Sequence, residues 1–294
     1  MNQGYVYRHF IQPATAGRTV LAHHVAVFTR ATEAEWRARI DAGQVRINGV
    51  TADPLRVLAA GDRVTFHRPP WEEPDAPLAF DVVYEDADVL VVTKSSGLQV
   101  QPGGTFQEHT LWHQVRVSAP DRADASHVHR LGRGTSGLVL FGKTRQARAS
   151  LCAQFRRREP CKTYLALARG TGLPTSVQAR HPIGPIPHGP IVVWCAQAGG
   201  KASHTRLRVL ARDAAKERSL VAAQPITGRP DQIRIHLAAC GAPLVGDRLF
   251  APGGGIAEDV PPGLGGYFLH AAGLRFEHPT HGRAVKLRAR PSWA

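Results

Sequence analysis

The sequence predicts an α+β protein with a mixed, mainly antiparallel sheet and flanking helices, preceded by a small α/β module. Three observations support this prediction. Strand-like apolar segments dominate after residue 80, only two segments there have helical apolar spacing, and a proline-rich stretch divides the chain. The strand-like segments are 81–97, 127–143, 161–170, 191–197, 203–212 and 281–290.

The small N-terminal module is predicted from a helix followed by a hairpin. Thr32 is a candidate N-cap, and Glu35 three residues later completes a capping-box pattern. Trp36 and Ile40 then share one helical face, and the next segment turns at 48–49, an Asn-Gly pair typical of a β-hairpin. This order resembles the S4-type RNA-binding module, while a generic α-β hairpin stays open as the alternative. The matching positions are Gly43, Val45, Asn48, Gly49, Gly61 and Asp62.

The domain organisation follows from the proline-rich, acidic stretch "PPWEEPDAP" at 69–77. We expect the module at 1–70, a linker at 71–80 and a larger domain at 81–294. The two helices expected in the larger domain are 145–158, which ends before Pro160, and 231–241.

The charge of the chain indicates a polyanionic partner. The chain has 37 Lys and Arg residues and 23 Asp and Glu residues, which gives a net charge of +14 and a sequence pI of about 10.5. RNA and DNA are the commonest such partners, and arginine suits bidentate contacts to phosphate. A codon preference explains an arginine excess but not the net charge.

Composition also narrows the class of protein. The apolar runs are too short to cross a bilayer, and the first ten residues lack the basic-then-apolar pattern of a signal peptide. The four cysteines show no CxxC spacing, which favours free thiols over a zinc ribbon. We therefore expect a cytoplasmic protein without a membrane partner, and a monomer because nothing in the sequence demands an assembly.

Several motifs in the central segment are better explained by structure than by a cofactor. "GRGTSG" at 132–137 fits GxGxxG, but a strand pattern follows where a dinucleotide site needs a helix. His127 and His129 lie on one strand face without a third ligand at a recognised spacing, so we expect no metal site. Ser136 is outside a GxSxG elbow, which disfavours a hydrolase.

Six ordered segments from residue 82 to the end resemble the RNA pseudouridine synthases, and their RluA-like branch fits best. The family pattern is "HRLDxxTSGLLLxAK" where this chain has "HRLGRGTSGLVLFGK", and "TGRxHQIRxHLxxxGxPxxGDxxY" where it has "TGRPDQIRIHLAACGAPLVGDRLF". The other matching segments are "VVYEDADVLVVTKSSGLQVQPG", "CKTYLALARG", "GGKASHTRLRVL" and "LHAAGLRFEHP".

The resemblance implies isomerisation of a flipped-out uridine to pseudouridine in structured RNA, ribosomal or transfer, without a cofactor. It implies a catalytic aspartate at the position of Gly132, contact of Tyr164 with the target base, and an ion pair from Arg234 to that aspartate. Because glycine offers no carboxylate, Arg234 is expected to lack its partner, and Asp231 is the nearest candidate substitute. The residues expected to contact substrate or RNA are Lys94, Arg130, Thr135, Ser136, Lys143, Arg156, Arg157 and Arg158.

Two functions therefore stay open from the sequence. One is an RNA pseudouridine synthase that either uses a substitute carboxylate or belongs to a variant subgroup that works without the usual one. The other is a catalytically silent relative that binds RNA, because the pocket residues are retained while Gly132 removes the acid.

Overall fold

The chain forms two compact units, residues 1–73 and 74–294, and the division between them lies inside the proline-rich stretch. The computed structural model describes residues 1–29, 31–189, 191–257, 260 and 265–293.

The first unit is a four-stranded sheet with two helices. Its sheet has the order β1-β4-β2-β3, and every neighbouring pair is antiparallel. The predicted capping box is present, since the Glu35 amide donates to the Thr32 hydroxyl and the Thr32 amide donates to the Glu35 carboxylate. The elements are β1 (Tyr5–Phe10), α1 (Val20–Val27), α2 (Glu33–Asp41), β2 (Val45–Ile47), β3 (Val50–Thr51) and β4 (Arg63–Arg68).

The core of the first unit lies between the helices and one face of the sheet. Trp36 and Ile40 of α2 are buried against Val45 and Val64 of the sheet. Strand β1 is an addition to the predicted helix and hairpin, and none of its six residues is fully buried.

The second unit is built on a ten-stranded sheet. The order along its main path is β10-β13-β14-β9-β15-β8-β6-β5, with β16 on β15 and β7 on β8. The strands are β5 (Phe80–Glu85), β6 (Val89–Lys94), β7 (Ser126–His127), β8 (Ser136–Gly142), β9 (Cys161–Arg169), β10 (Ser176–Ala179), β11 (Ile183–His188), β12 (Ile191–Ala196), β13 (Thr205–Asp213), β14 (Arg218–Pro225), β15 (Leu269–Glu277) and β16 (Ala284–Arg288). The helices are α3 (Leu111–Ser118), α4 (Arg145–Arg157) and α5 (Gln232–Ala239).

This sheet confirms the predicted fold class. Among the strands described, β8 and β15 pair in parallel and the other pairs are antiparallel, while β11 and β12 form a separate two-stranded sheet. Helices α4 and α5 fall where the sequence predicts them. Helix α3 was not predicted. Only Leu111 and Val115 of its eight residues are buried, and two apolar positions are too few to show the spacing of a helix.

The central strands β6 and β8 are buried on both faces, which fixes where the helices pack. Leu90 of β6 belongs to the same apolar cluster as Ile233 of α5. Its neighbour Val91, which points to the opposite face, belongs to the cluster that contains Leu151 of α4. The two helices therefore cover opposite faces of the sheet.

Candidate active site

A cavity of about 650 Å³ lies in the second unit. Its wall is formed by the segment around Gly132, the end of α4, the start of β9, and the chain that leads into α5. Gly132, Tyr164, Asp231 and Arg234 all line it. The fold thus brings together the residues that the sequence placed in one site.

The segment around Gly132 lies against the ring of Tyr267. A Cβ atom at Gly132 would be 3.1 Å from the Tyr267 hydroxyl and 3.5 Å from the Thr135 hydroxyl, while a Cβ at Gly134 would be 2.8 Å from ring carbons of Tyr267. The Thr135 and Tyr267 hydroxyls are hydrogen-bonded at 3.2 Å. Gly134 is therefore required by close packing, whereas Gly132 leaves space that a small shift of Tyr267 would enlarge.

Arg234 has no aspartate at position 132 to pair with, as expected, but acids from elsewhere in the chain pair with it. Its Nε and Nη2 atoms donate to the two carboxylate oxygens of Asp247 at 2.8 and 3.0 Å. Asp247 also accepts hydrogen bonds from the Leu249 and Phe250 amides, and its side chain is 1% exposed. The buried charge is neutralised by an acid 13 residues along the chain, which no sequence pattern had marked as part of the site.

Asp231 forms the second ion pair of Arg234, as its spacing of three residues suggested. Its Oδ1 accepts from Arg234 Nη1 at 2.7 Å, and its side chain is 35% exposed. Asp231 occupies the N-cap position of α5 with a φ of 50° and ψ of 18°, yet its side chain makes no capping hydrogen bond. Because left-handed backbone is costly for a residue other than glycine, this aspartate is held in a strained position beside the cavity.

Tyr164 on β9 lines the same cavity. The ring is 9% exposed, and among the described residues no hydrogen bond to the hydroxyl is formed. Burial raises the pKa of Tyr164 to about 12. The phenol therefore stays protonated at neutral pH and can donate or relay a proton.

Basic side chains surround the opening of the cavity. Arg130, Arg156 and Arg158 line it and are exposed, and Lys162 and Arg229 lie deeper. This arrangement suits a phosphate backbone.

Arg157, from the same basic run, forms an exposed ion pair with Glu159, at 2.6 Å from Nε and 3.0 Å from Nη2. It is outside the set of residues that line the cavity.

Two lysines that we expected to contact RNA are used inside the fold, so these expectations are wrong. Lys94 is 1% exposed, and its Nζ donates to the carbonyls of Ser95, Leu98 and Arg133. Burial lowers the pKa of Lys94 to about 7. Lys143 donates to two carboxylates, at 3.0 Å to Glu85 and 2.6 Å to Asp121. All three donors of the Lys94 ammonium group are used, and the buried Lys143 ammonium group is neutralised by two carboxylates.

Ser136 is also directed away from this cavity. Its hydroxyl is hydrogen-bonded to His270 at 2.8 Å, and it lines a separate cavity of about 540 Å³.

The imidazole ring of His129 is held by contacts within the fold. Its Nε2 accepts a hydrogen bond from the Leu140 amide at 3.1 Å, and its ring stacks on Phe155 at a centroid distance of 4.9 Å. Burial lowers the pKa of His129 to about 3, so the ring is neutral.

Sequence reasoning missed Asp247 and Tyr267 as parts of the site. Asp247 lies in the "GDRLF" segment that already matched the family pattern. Tyr267 precedes the "LHAAGLRFEHP" match, and its ring centroid is 4.3 Å from the guanidinium carbon of Arg234. A search for every acid in the matched segments would have found Asp247, while no sequence signal marked Tyr267.

Comparison with known proteins agrees with this geometry. The family model for RNA pseudouridylate synthase matches residues 88–239. An "Uncharacterized RNA pseudouridine synthase" from Synechocystis is 40% identical over 86% of this chain and 87% of its own length. Ribosomal large subunit pseudouridine synthase C of Escherichia coli K12 is 36% identical over 84% of this chain and 81% of its own length.

A solved structure supports the same assignment. Human RNA Pseudouridylate Synthase Domain Containing 1 superposes with a TM-score of 0.60 and 30% identity, over 76% of this chain and 88% of that one. The chain belongs to the RNA pseudouridine synthase family, and its relatives place it in the RluA-like branch. No helix among the described residues is long and apolar enough to cross a membrane.

Proposed function

We propose that the protein isomerises uridine to pseudouridine in structured ribosomal RNA, and that Asp231 supplies the carboxylate that Gly132 cannot. The reaction breaks the bond between uracil N1 and ribose C1′, turns the base and joins C5 to C1′. The proton lost from C5 is balanced by the one gained at N1. The isomerisation thus requires no redox agent and no nucleoside triphosphate.

The position of Asp231 carries this proposal. Asp231 lines the cavity that Tyr164 also lines, one of its carboxylate oxygens is bound to Arg234, and its side chain is 35% exposed. The left-handed backbone of Asp231 and the absence of a capping hydrogen bond indicate that its side chain does not stabilise the start of α5. A carboxylate so placed can attack the anomeric carbon or stabilise the positive charge that develops there.

Each of the other groups then has a role consistent with its contacts. Arg234, held by Asp247, orients the Asp231 carboxylate. Tyr164 packs against the uracil and, as a neutral phenol, relays the proton from C5. The cavity volume of about 650 Å³ suits one flipped-out nucleotide.

The substrate is proposed from the basic surroundings of the cavity and the printed names of relatives. Arg130, Arg156 and Arg158 are positioned for the phosphates that flank the target nucleotide. Two relatives are large-subunit ribosomal RNA enzymes by name, so we propose this RNA rather than transfer RNA. Residues 1–70 would act as an S4-like RNA-binding module in a cytoplasmic monomer.

The test is pseudouridine formation on transcribed large-subunit ribosomal RNA, with transfer RNA as a second substrate, measured by nucleoside chromatography. Asp231→Asn is expected to lower the rate constant about 100-fold or more, as loss of a group that stabilises charge in the transition state does. Asp213→Asn is the matched control, because Asp213 pairs with Arg218 at 3.2 Å away from the main cavity and should leave the rate unchanged. Tyr164→Phe should lower the rate without weakening RNA binding.

Two outcomes contradict the proposal. Full activity of Asp231→Asn would remove this carboxylate from the mechanism. Inactivity of the wild-type protein on every RNA that it binds would identify a silent relative; activity gained by Gly132→Asp would then show that only the missing acid prevents turnover.

A further inference from the structure

The outer face of the first unit's sheet carries a row of arginines that the cavity does not explain. Arg8 on β1 and Arg46 on β2 both pair in register with Thr65 on the intervening strand β4. Because side chains alternate along a strand and neighbours in register share a face, the two arginines project from one face. Their Cα atoms are two strand spacings apart, about 10 Å.

The same face includes further groups suited to RNA. Arg63 lies opposite Phe10 in the β1–β4 register, and the Phe10 side chain is 61% exposed. His67 lies two residues from Thr65 on β4, and its pKa is lowered by burial and then by the positive charges of Arg46 and Arg8. We call the residues Arg8, Phe10, Arg46, Arg63 and His67 the outer-face set.

This face is distinct from the one that forms the core. Val45, Ile47 and Val64, which alternate with Arg46, Arg63 and Thr65, are fully buried beneath the helices. No strand residue on the outer face is acidic, and among the described residues none of the three arginines is within 4.0 Å of a carboxylate oxygen.

Protection of a sheet edge does not account for these charges. Charged side chains often discourage edge-to-edge pairing, and this would explain Arg8 on the edge strand β1. Arg46 and Arg63, however, lie on β2 and β4, the two inner strands of the order β1-β4-β2-β3. Positive charges on the inner strands of a sheet destabilise the sheet by mutual repulsion unless an anion binds there.

We propose that the outer-face set binds the phosphate backbone of RNA, with Phe10 as a platform on which a base stacks. A positively charged surface with an exposed aromatic ring is the combination that holds single-stranded nucleic acid with little sequence preference. This surface would hold a flanking single-stranded segment of the same RNA whose uridine enters the cavity. The inference rests on the proposed action on RNA and names which face of the first unit contacts it.

The test measures binding alone, so that its failure is separate from a failure of catalysis. Binding of a labelled single-stranded RNA of about 16 nucleotides is followed by fluorescence anisotropy over a series of salt concentrations, with the full chain. The variant combines Arg8→Gln, Arg46→Gln and Arg63→Gln. Its matched control, Arg275→Gln with Arg283→Gln and Lys286→Gln, removes three exposed charges from β15, β16 and their connecting turn.

Loss of three phosphate contacts should reduce the slope of log affinity against log salt by about 2, since each contact to a single strand contributes about 0.7. The control should keep the wild-type slope, and Phe10→Ala should weaken binding about 5-fold or more. Far-UV circular dichroism and thermal melting check that the variants fold.

An unchanged slope in the folded triple variant, or an equal reduction in the control, would overturn the proposal, as would a wild-type protein that does not bind the probe. If the triple variant loses slope while the wild-type protein makes no pseudouridine, the binding surface stands and the proposed catalysis fails.

Discussion

Arg234 binds two carboxylates, one buried and one partly exposed. We expect removal of the buried carboxylate to lower stability and removal of the exposed one to lower activity. The Asp247 side chain is 1% exposed and that of Asp231 is 35% exposed. Asp247→Asn keeps the side-chain volume but removes the charge from a buried pair, and breaking such a pair costs about 3–5 kcal/mol. Asp231→Asn breaks a partly solvated pair, for which about 1 kcal/mol or less is expected.

The free energy of unfolding is measured by urea denaturation of the wild-type protein and both variants, followed by far-UV circular dichroism. Shifts in the midpoint at a constant slope report the change in stability. We expect Asp247→Asn to be destabilised by at least about 2 kcal/mol more than Asp231→Asn. In the activity assay, Asp231→Asn is expected to stay folded and to lose turnover.

Equal destabilisation by the two substitutions would refute this reasoning, because it would mean that exposure does not separate a structural acid from a functional one around Arg234. A stable Asp247→Asn protein would likewise show that the guanidinium does not need its buried partner.

Further predictions follow from buried polar groups and close packing. Lys94→Met should cost about 1–3 kcal/mol, because three backbone carbonyls lose their donor; thermal unfolding checks this. Hydrogen bonds from a guanidinium and an ammonium lower the pKa of Glu85 to about 2. Its contribution to stability is therefore present above the ordinary pKa near 4.5 and lost as the pH falls through 2. Urea midpoints of Glu85→Gln should depend less on pH in that window than those of the wild-type protein. Gly134→Ala should cost about 1–3 kcal/mol because its Cβ would be 2.8 Å from Tyr267 ring atoms, whereas Gly132→Ala, at 3.1 Å from the hydroxyl, should be tolerated; equal losses would contradict this difference.

Local patterns predicted much of the fold, because they depend on neighbours in sequence. The capping box at Thr32 and the apolar face of α4 are set by residues three or four positions apart, and both are found. The strand-like segments left out β10, β11, β14 and β15, and no order of the strands in the sheet could be predicted. Strand order depends on contacts between distant segments, which no local period records.

The site shows the same limit. The matched segments alone identified Gly132, Tyr164, Asp231 and Arg234, and they lie on one cavity wall. They could not show that Lys94 and Lys143 point into the protein, because a basic residue has the same letter whether it meets a phosphate or a buried carbonyl.

By itself, the sequence determined the class of fold, the basic character of the chain and the absence of an acid at Gly132. Only the tertiary structure showed which side chains surround the buried Arg234. Asp247 is 13 residues and Tyr267 is 33 residues from Arg234, yet both contact its guanidinium group. These contacts depend on how separate segments of the chain pack together, and such packing is not encoded in any local pattern of residues.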